Sequence, residues 1–114
     1  MKLMVCGSRS ITEKAKIFET LNHYLSEQDL LIISGGAKGV DSIAEEWAAK
    51  NKIPVKQFKP DWKKYGRGAG IVRNKLMVEE SDFVLIFWDG ISKGTKSDID
   101  FCKKLGKQHS IMRF

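Results

Sequence analysis

The stretch Ile32-Ile33-Ser34-Gly35-Gly36-Ala37-Lys38-Gly39-Val40-Asp41 constrains this chain more than any other. An apolar run stops at two adjacent glycines, a third follows, and an amphipathic run opens with Val40, Ile43, Ala44, Trp47 and Ala48. That spacing marks one buried face of a helix. A buried strand that turns through glycines into a helix presents bare N–H groups at the positive end of the helix dipole, where an anion such as phosphate is held. The same residues also suit a tight strand-to-helix connection with no ligand, and the segment alone leaves both readings open.

The flanking sequence repeats this arrangement. Leu3 to Cys6 reads as a strand ended by Gly7. Ser10-Ile11-Thr12-Glu13 has capping-box spacing and predicts a helix to about Glu27, with Ala15, Phe18, Leu21 (or Asn22) and Leu25 inside. Leu30 to Ser34 is the second strand, and its helix ends near Asn51. Ile53 to Phe58 is the third strand, with Pro54 where a missing donor is tolerated. Lys59 to Ala69 reads as an aromatic, basic loop carrying Trp62, Tyr65, Gly66 and Gly68. A helix follows from about Gly70 to Glu80. Phe83 to Trp88, the most apolar segment, is a central strand. Asp89 to Gly94 is a loop, Thr95 to Leu105 a helix, and Ser110 to Arg113 a closing strand.

Strand and helix alternate throughout, which gives an α/β, Rossmann-like three-layer sandwich around a five-stranded parallel sheet. Right-handed crossovers make the expected strand order 3-2-1-4-5, with ligands bound beyond the carboxyl ends of the strands where the order reverses. At 114 residues the chain is expected to form one domain, residues 1–114. No apolar run is long enough for a membrane span, and Met1 to Cys6 is too short for a signal peptide, so a cytoplasmic protein with no membrane partner is expected. Cys6 and Cys102 read as reduced core residues. His23 and His109 are isolated, and no residue pattern calls for a metal or a cofactor.

The net charge is +6. Much of the excess lies in the 50–75 region, where Lys50, Lys52, Lys56, Lys59, Lys63, Lys64, Arg67, Arg73 and Lys75 meet few acids. A local positive field draws phosphorylated ligands or nucleic acid, although a solvated basic surface has the same composition.

Three turns converge on the expected mouth: Gly7-Ser8-Arg9, Gly35 to Gly39, and Trp88-Asp89-Gly90 through Gly94-Thr95. The first lacks the rest of G-x-G-x-x-G, which excludes an ordinary dinucleotide-binding domain. The arginine of that turn, Arg9, offers a planar fork to a phosphate or carboxylate. Gly90 to Ser97 misses the P-loop pattern at Thr95, which excludes that NTPase reading. What remains is a Gly94-Thr95 pair at a helix start, with backbone donors and one hydroxyl for an anion. Asp98 lies on the buried face of its helix at the end nearest the mouth. It suits a sugar hydroxyl or acid–base chemistry, yet Thr95-x-x-Asp98 also has capping spacing, which weighs slightly toward a cap. Asp41 carries the same ambiguity. Arg73, Asn74 and Met77 share a helix face that is either basic surface over a core methionine or part of a site.

Together these segments resemble the SLOG superfamily, which joins the cytokinin-activating LOG proteins, the DNA-processing Smf/DprA proteins and small YspA-like proteins. Ile33-Ser34-Gly35-Gly36-Ala37-Lys38-Gly39-Val40-Asp41-Ser42-Ile43-Ala44 is similar to the DprA-type S-G-G-A-x-G-I-D-x-x-A run. Gly7-Ser8-Arg9 matches that group's first-strand turn, Arg73-Asn74-x-x-Met77 the R-K-x-x-M of LOG proteins, and Gly94-Thr95-x-x-Asp98 their G-T-x-x-E. Asp89 to Thr95 resembles the D-G-x-S-x-G-T of the YspA-like group.

The resemblance implies a site for a nucleotide-like small molecule, with nucleic acid as another partner and a homodimer as one assembly open to the chain. Its ligand-binding residues would be Gly7, Ser8, Arg9, Gly35, Gly36, Ala37, Gly39, Asp41, Arg73, Asn74, Asp89, Gly94 and Thr95. Trp62 or Tyr65 would stack on a base or pack under its own loop. LOG proteins cleave the N-glycosidic bond of nucleoside monophosphates. In an enzyme of that type Arg73 and Asp98 would be catalytic here. Three departures separate this chain from that pattern: Asp98 is one methylene shorter than the glutamate, Asn74 replaces the lysine, and the P-G-G before G-T is absent. DprA relatives bind single-stranded DNA but carry further segments.

Overall fold

The computed structural model describes residues 1–114 throughout. Its elements are β1 (Lys2–Gly7), α1 (Lys14–Asn22), β2 (Leu31–Ser34), α2 (Val40–Lys50) and β3 (Val55–Gln57). They continue with α3 (Trp62–Tyr65), a 3-10 turn (Gly66–Gly68), α4 (Ala69–Glu80), β4 (Phe83–Trp88), α5 (Lys93–Leu105) and β5 (His109–Arg113). The sheet is parallel throughout, in the expected order β3-β2-β1-β4-β5. Leu3 pairs with Ile32 on one side and Phe83 on the other, so β1 lies at the centre and the order reverses between β1 and β4. No helix is long and apolar enough to cross a membrane.

Side chains alternate across the pleat, so the inner strands are apolar on both faces. Leu3, Val5, Ile32, Leu85 and Phe87 point to one face and pack with Ile17 and Leu21 of α1 and Val40, Ala44 and Trp47 of α2. Met4, Cys6, Ile33, Val84 and Ile86 point to the other, against Met77 and Val78 of α4 and Ile99 and Cys102 of α5. The α2 stripe is the one the sequence predicts, with Ile43 half-buried at its margin.

Four expectations need correction. Helix α1 starts at Lys14 and ends at Asn22, shorter at both ends than Ser10 to Glu27. The cause is Ile11, which is drawn into the core and holds the chain off helical geometry, with its N–H donated to the Ser8 carbonyl at 3.2 Å. Ser10 caps nothing; its hydroxyl donates to Asp89 Oδ2 at 2.9 Å. At the far end His23, Tyr24 and Leu25 tighten into three-residue turns. The inner stripe is therefore Ile17, Phe18 and Leu21, while Ala15 and Leu25 are exposed.

Strand β3 is a short edge, Val55–Gln57, although the Pro54 carbonyl and the Phe58 N–H still bond β2. The segment read as a loop, 59–69, contains α3, because the Asp61 carboxylate accepts the Lys64 N–H at 3.1 Å and caps one helical turn. Helix α5 begins at Lys93 with Ser92 at its N-cap, two residues earlier than expected. Thr95 therefore lies inside the first turn, and Asp98 is too far along the helix to cap its start.

Candidate functional site

A hollow of about 380 Å³ opens beyond the carboxyl ends of β1, β2 and β4, at the reversal of strand order. Its existence depends on close packing beneath it. A Cβ at Gly7 would collide with the Phe87 carbonyl and Val40, so only glycine lets β1, β4 and α2 meet there. Gly39, at the N-cap of α2, has φ +81° and brings the two glycine turns together, since a Cβ on it would lie 2.8 Å from the Arg9 carbonyl oxygen.

Hydrogen bonds within the protein shape the turns. Asp89 Oδ1 accepts the N–H groups of Ile91 (2.9 Å) and Ser92 (2.8 Å), and these bonds hold its carboxyl down at about 2. Ser8 is buried; its hydroxyl accepts the Asp89 N–H at 3.1 Å and lies 3.4 Å from Thr95 Oγ1. The first and third turns are thus joined through one hydroxyl. In the middle turn the Gly36 N–H is donated to Ser34 Oγ at 3.2 Å and the Ala37 N–H to Asp41 Oδ2 at 3.1 Å. Ser34 in turn donates to Glu45 Oε2 at 2.7 Å. The protein itself therefore occupies two amides of this turn. The Lys93, Gly94 and Thr95 amides open α5, where the first N–H groups have no intrahelical partner.

Arg73 reaches across from α4. Its Nη1 donates to the Gly35 carbonyl at 2.9 Å and, more weakly, to Phe58 O at 3.4 Å, while Nε donates to Asn74 Oδ1 at 2.8 Å. Nη2 bonds nothing in the protein, and Arg73 is among the residues that line the hollow.

Two carboxylates lie deep in the same hollow. Asp41 is 7% exposed and Asp98 6%. Burial pushes Asp41 up to about 6, against the opposing pull of the Ala37 N–H and the Arg73 guanidinium. Burial pushes Asp98 up to about 7, partly offset by the Cys6 thiol beside it, reinforced by the Asp41 charge and offset again by the Arg73 guanidinium. The Cys6 thiol is raised in turn, first by burial and then by Asp98. Asp98 Oδ1 is fully buried and has no hydrogen-bond partner. The expectation that Asp98 caps its helix gives way here, because its carboxyl turns into the hollow.

Of the residues singled out in the sequence, Gly7, Arg9, Ala37, Asp41, Arg73, Asn74, Met77, Asp89, Gly94, Thr95 and Asp98 line this hollow. Ser8 and Gly35 lie immediately behind it, Ser8 against Thr95 and Gly35 under Arg73 and Asp41. Gly36 faces Gln57 and Gly39 faces the Arg9 backbone, both outside the lining. Trp62 and Tyr65 also lie outside it, 60% and 42% exposed on α3. Sequence reasoning missed Cys6, Ser10 and Ser92 as lining residues. The cysteine gave only a core signal, and the two serines became visible only once the helix starts were known.

A family model described as YspA, cpYpsA-related SLOG family matches residues 1–65, from β1 through α3. The Gene 61 protein of Mycobacterium phage D29 is 30% identical over 113 residues, covering 92% of this chain and 90% of that protein. DNA processing protein A of Helicobacter pylori, described for its single-stranded DNA binding mode, superposes with a TM-score of 0.77 at 24% identity over 97% of this chain. DprA of Streptococcus pneumoniae gives 0.78 at 20% identity over 96% of this chain. This chain spans 64% and 49% of those two DprA chains, so the likeness concerns their shared fold.

Proposed function

We propose a function on the premise that this chain belongs to the YspA, cpYpsA-related SLOG family: it binds a phosphate-bearing nucleotide or nucleotide-derived ligand in the hollow, as a sensor. One observation carries the reading. Arg73, Thr95 and the buried carboxyls of Asp41 and Asp98, drawn from three helices distant in sequence, line a single hollow at the strand-order reversal. The first turn of α5 and the free Nη2 of Arg73 offer donors to phosphate, with Arg9 at the rim. Asp41 and Asp98 offer acceptors to hydroxyl groups.

A thermal-shift screen over nucleotides, cyclic nucleotides and ADP-ribose derivatives tests this. A ligand at a hundred times its Kd adds about 2.7 kcal/mol to the folded state and raises the melting point. A panel with no shift removes the reading. The same hollow also supports an enzyme of the LOG type, because Arg73 and Asp98 share it and a carboxyl raised to about 7 keeps a proton to donate near neutrality. Nucleoside monophosphates incubated with the protein would then release free base; none released from any of them ends that alternative.

A second surface supports single-stranded nucleic acid. Trp62 and Tyr65 share one face of α3 by spacing and are solvent-exposed beside the exposed Lys63, Lys64 and Arg67. The structural neighbour from Helicobacter pylori is described for binding such DNA. Fluorescence anisotropy with a labelled oligonucleotide should then show affinity that falls steeply with salt and with Trp62→Ala. No binding at low salt eliminates it.

A further inference from the structure

The hollow is unusually polar for a site that would enclose a nucleobase. Of its lining side chains only Cys6, Ala37 and Met77 are apolar, and none is aromatic. Sites that enclose small organic ligands are lined mainly by hydrophobic and aromatic groups, and bases are typically held by stacking on ring faces. Trp88 and Phe58, at the carboxyl ends of β4 and β3, are engaged elsewhere. Trp88 Nε1 donates to the Ser92 carbonyl at 3.1 Å, and its ring faces the Arg113 guanidinium at 5.3 Å. Phe58 packs on the core cluster behind α4, with Lys56 Nζ 5.1 Å from its ring centroid.

The floor and the rim differ in what they accept. At the floor Asp98 Oδ1 is buried without a partner, beside Asp41, whose Oδ2 already holds the Ala37 N–H. An unpaired buried acceptor requires a donor from whatever enters, and hydroxyl groups supply one. A phosphate at that depth would meet two carboxyls and is disfavoured. Toward solvent the sign reverses, with the exposed Arg9 and the unpartnered first amides of α5. The half-buried Arg73 guanidinium stands between, near enough to both carboxyls to lower them. The hollow, at about 380 Å³, is near the small end of the ~300–1,000 Å³ range of ligand sites.

Resting on the phosphate-ligand reading above, we propose that the hollow recognises a pentose phosphate: ring hydroxyls on Asp98 and Asp41 at the floor, phosphate at the rim, and any base left outside. The recognised unit is the same whether the sugar phosphate is free or forms part of a nucleotide.

Calorimetric titration of the intact chain with ribose 5-phosphate, AMP, UMP, adenosine and inorganic phosphate separates the sources. Affinities for ribose 5-phosphate, AMP and UMP should agree within about threefold, because the base adds no contact, and adenosine should not bind. Ribose 5-phosphate binding without AMP or UMP overturns the claim that a base is left outside the hollow and removes the nucleotide reading. AMP or UMP binding more than about tenfold tighter than ribose 5-phosphate overturns this inference and leaves the nucleotide reading standing. No binding by any phosphate-bearing probe overturns both. Asp98→Asn, nearly isosteric, should weaken ribose 5-phosphate about tenfold and leave inorganic phosphate unchanged. Unchanged ribose 5-phosphate affinity in the folded variant overturns the floor contact, and the wild-type series decides the rest even if the variant fails to fold.

Discussion

Arg73 Nη1 donates to the carbonyl of Gly35 at 2.9 Å, joining the middle of α4 to the turn after β2 across 38 positions of sequence. A guanidinium placed this way braces the turn and leaves Nη2 unpartnered on a residue that lines the hollow. Replacing it by lysine keeps the charge but cannot reproduce the fork to Gly35 and Asn74. Arg73→Lys should lower stability by about 1–2 kcal/mol in urea titration, a loss consistent with two hydrogen bonds from a charged donor. Phosphate-ligand affinity should fall with it. A variant as stable as the parent would show that the bridge does not brace the turn.

Asp98 sets a pH dependence. Its carboxyl is raised to about 7 in the folded chain, above its ordinary value, so the folded state holds a proton that the unfolded state releases from about pH 4 upward. The carboxyl therefore costs stability as pH rises through that window, and Asp41, raised to about 6, adds to the trend. Asp98→Asn should melt on the order of several degrees above the parent at pH 8, with the difference shrinking toward pH 4. A melting-point difference independent of pH would contradict this account.

Ser8 presents a different cost. Its buried hydroxyl accepts the Asp89 N–H and meets Thr95 Oγ1. Ser8→Ala leaves that amide short of a partner and should destabilise the chain by about 1–3 kcal/mol. Hydrogen exchange should show faster exchange for Asp89 and the turn that follows it; unaltered protection would refute the link.

Gly39→Ala meets two obstacles at once, a positive φ and the Arg9 backbone 2.8 Å from the new Cβ. The expected loss is about 2–4 kcal/mol by denaturant titration, larger than for a glycine whose only demand is conformational. Gly94→Ala offers the contrast, since no atom of another element lies within 4 Å of its added Cβ and its φ is not positive. Equal losses at the two sites would show that close approach is not what Gly39 supplies.

The order of the strands, the identity of β4 as an inner strand and the apolar face of α2 were legible because each is a periodic pattern carried by many residues. Helix ends were less legible, because they depend on competition. Ser10 and Glu13 have capping-box spacing, but burying Ile11 outweighs one cap, and Ser10 turns to Asp89 instead. Thr95-x-x-Asp98 likewise reads as a cap until Ser92 takes the N-cap and moves the helix start back.

The sequence by itself determined a parallel α/β sheet of order 3-2-1-4-5, the three turns that meet at its reversal, and the arginine and acidic residues gathered near them. Tertiary structure alone decided which amides of those turns the protein consumes, which edge of Arg73 stays free, and that Asp98 ends as a buried acceptor with an unpaired oxygen. Hydrophobic periodicity is a local property summed over many residues, so it survives in a one-dimensional string. The partner of a single polar atom is set by the few ångströms separating elements distant in the chain, and no local pattern records that distance.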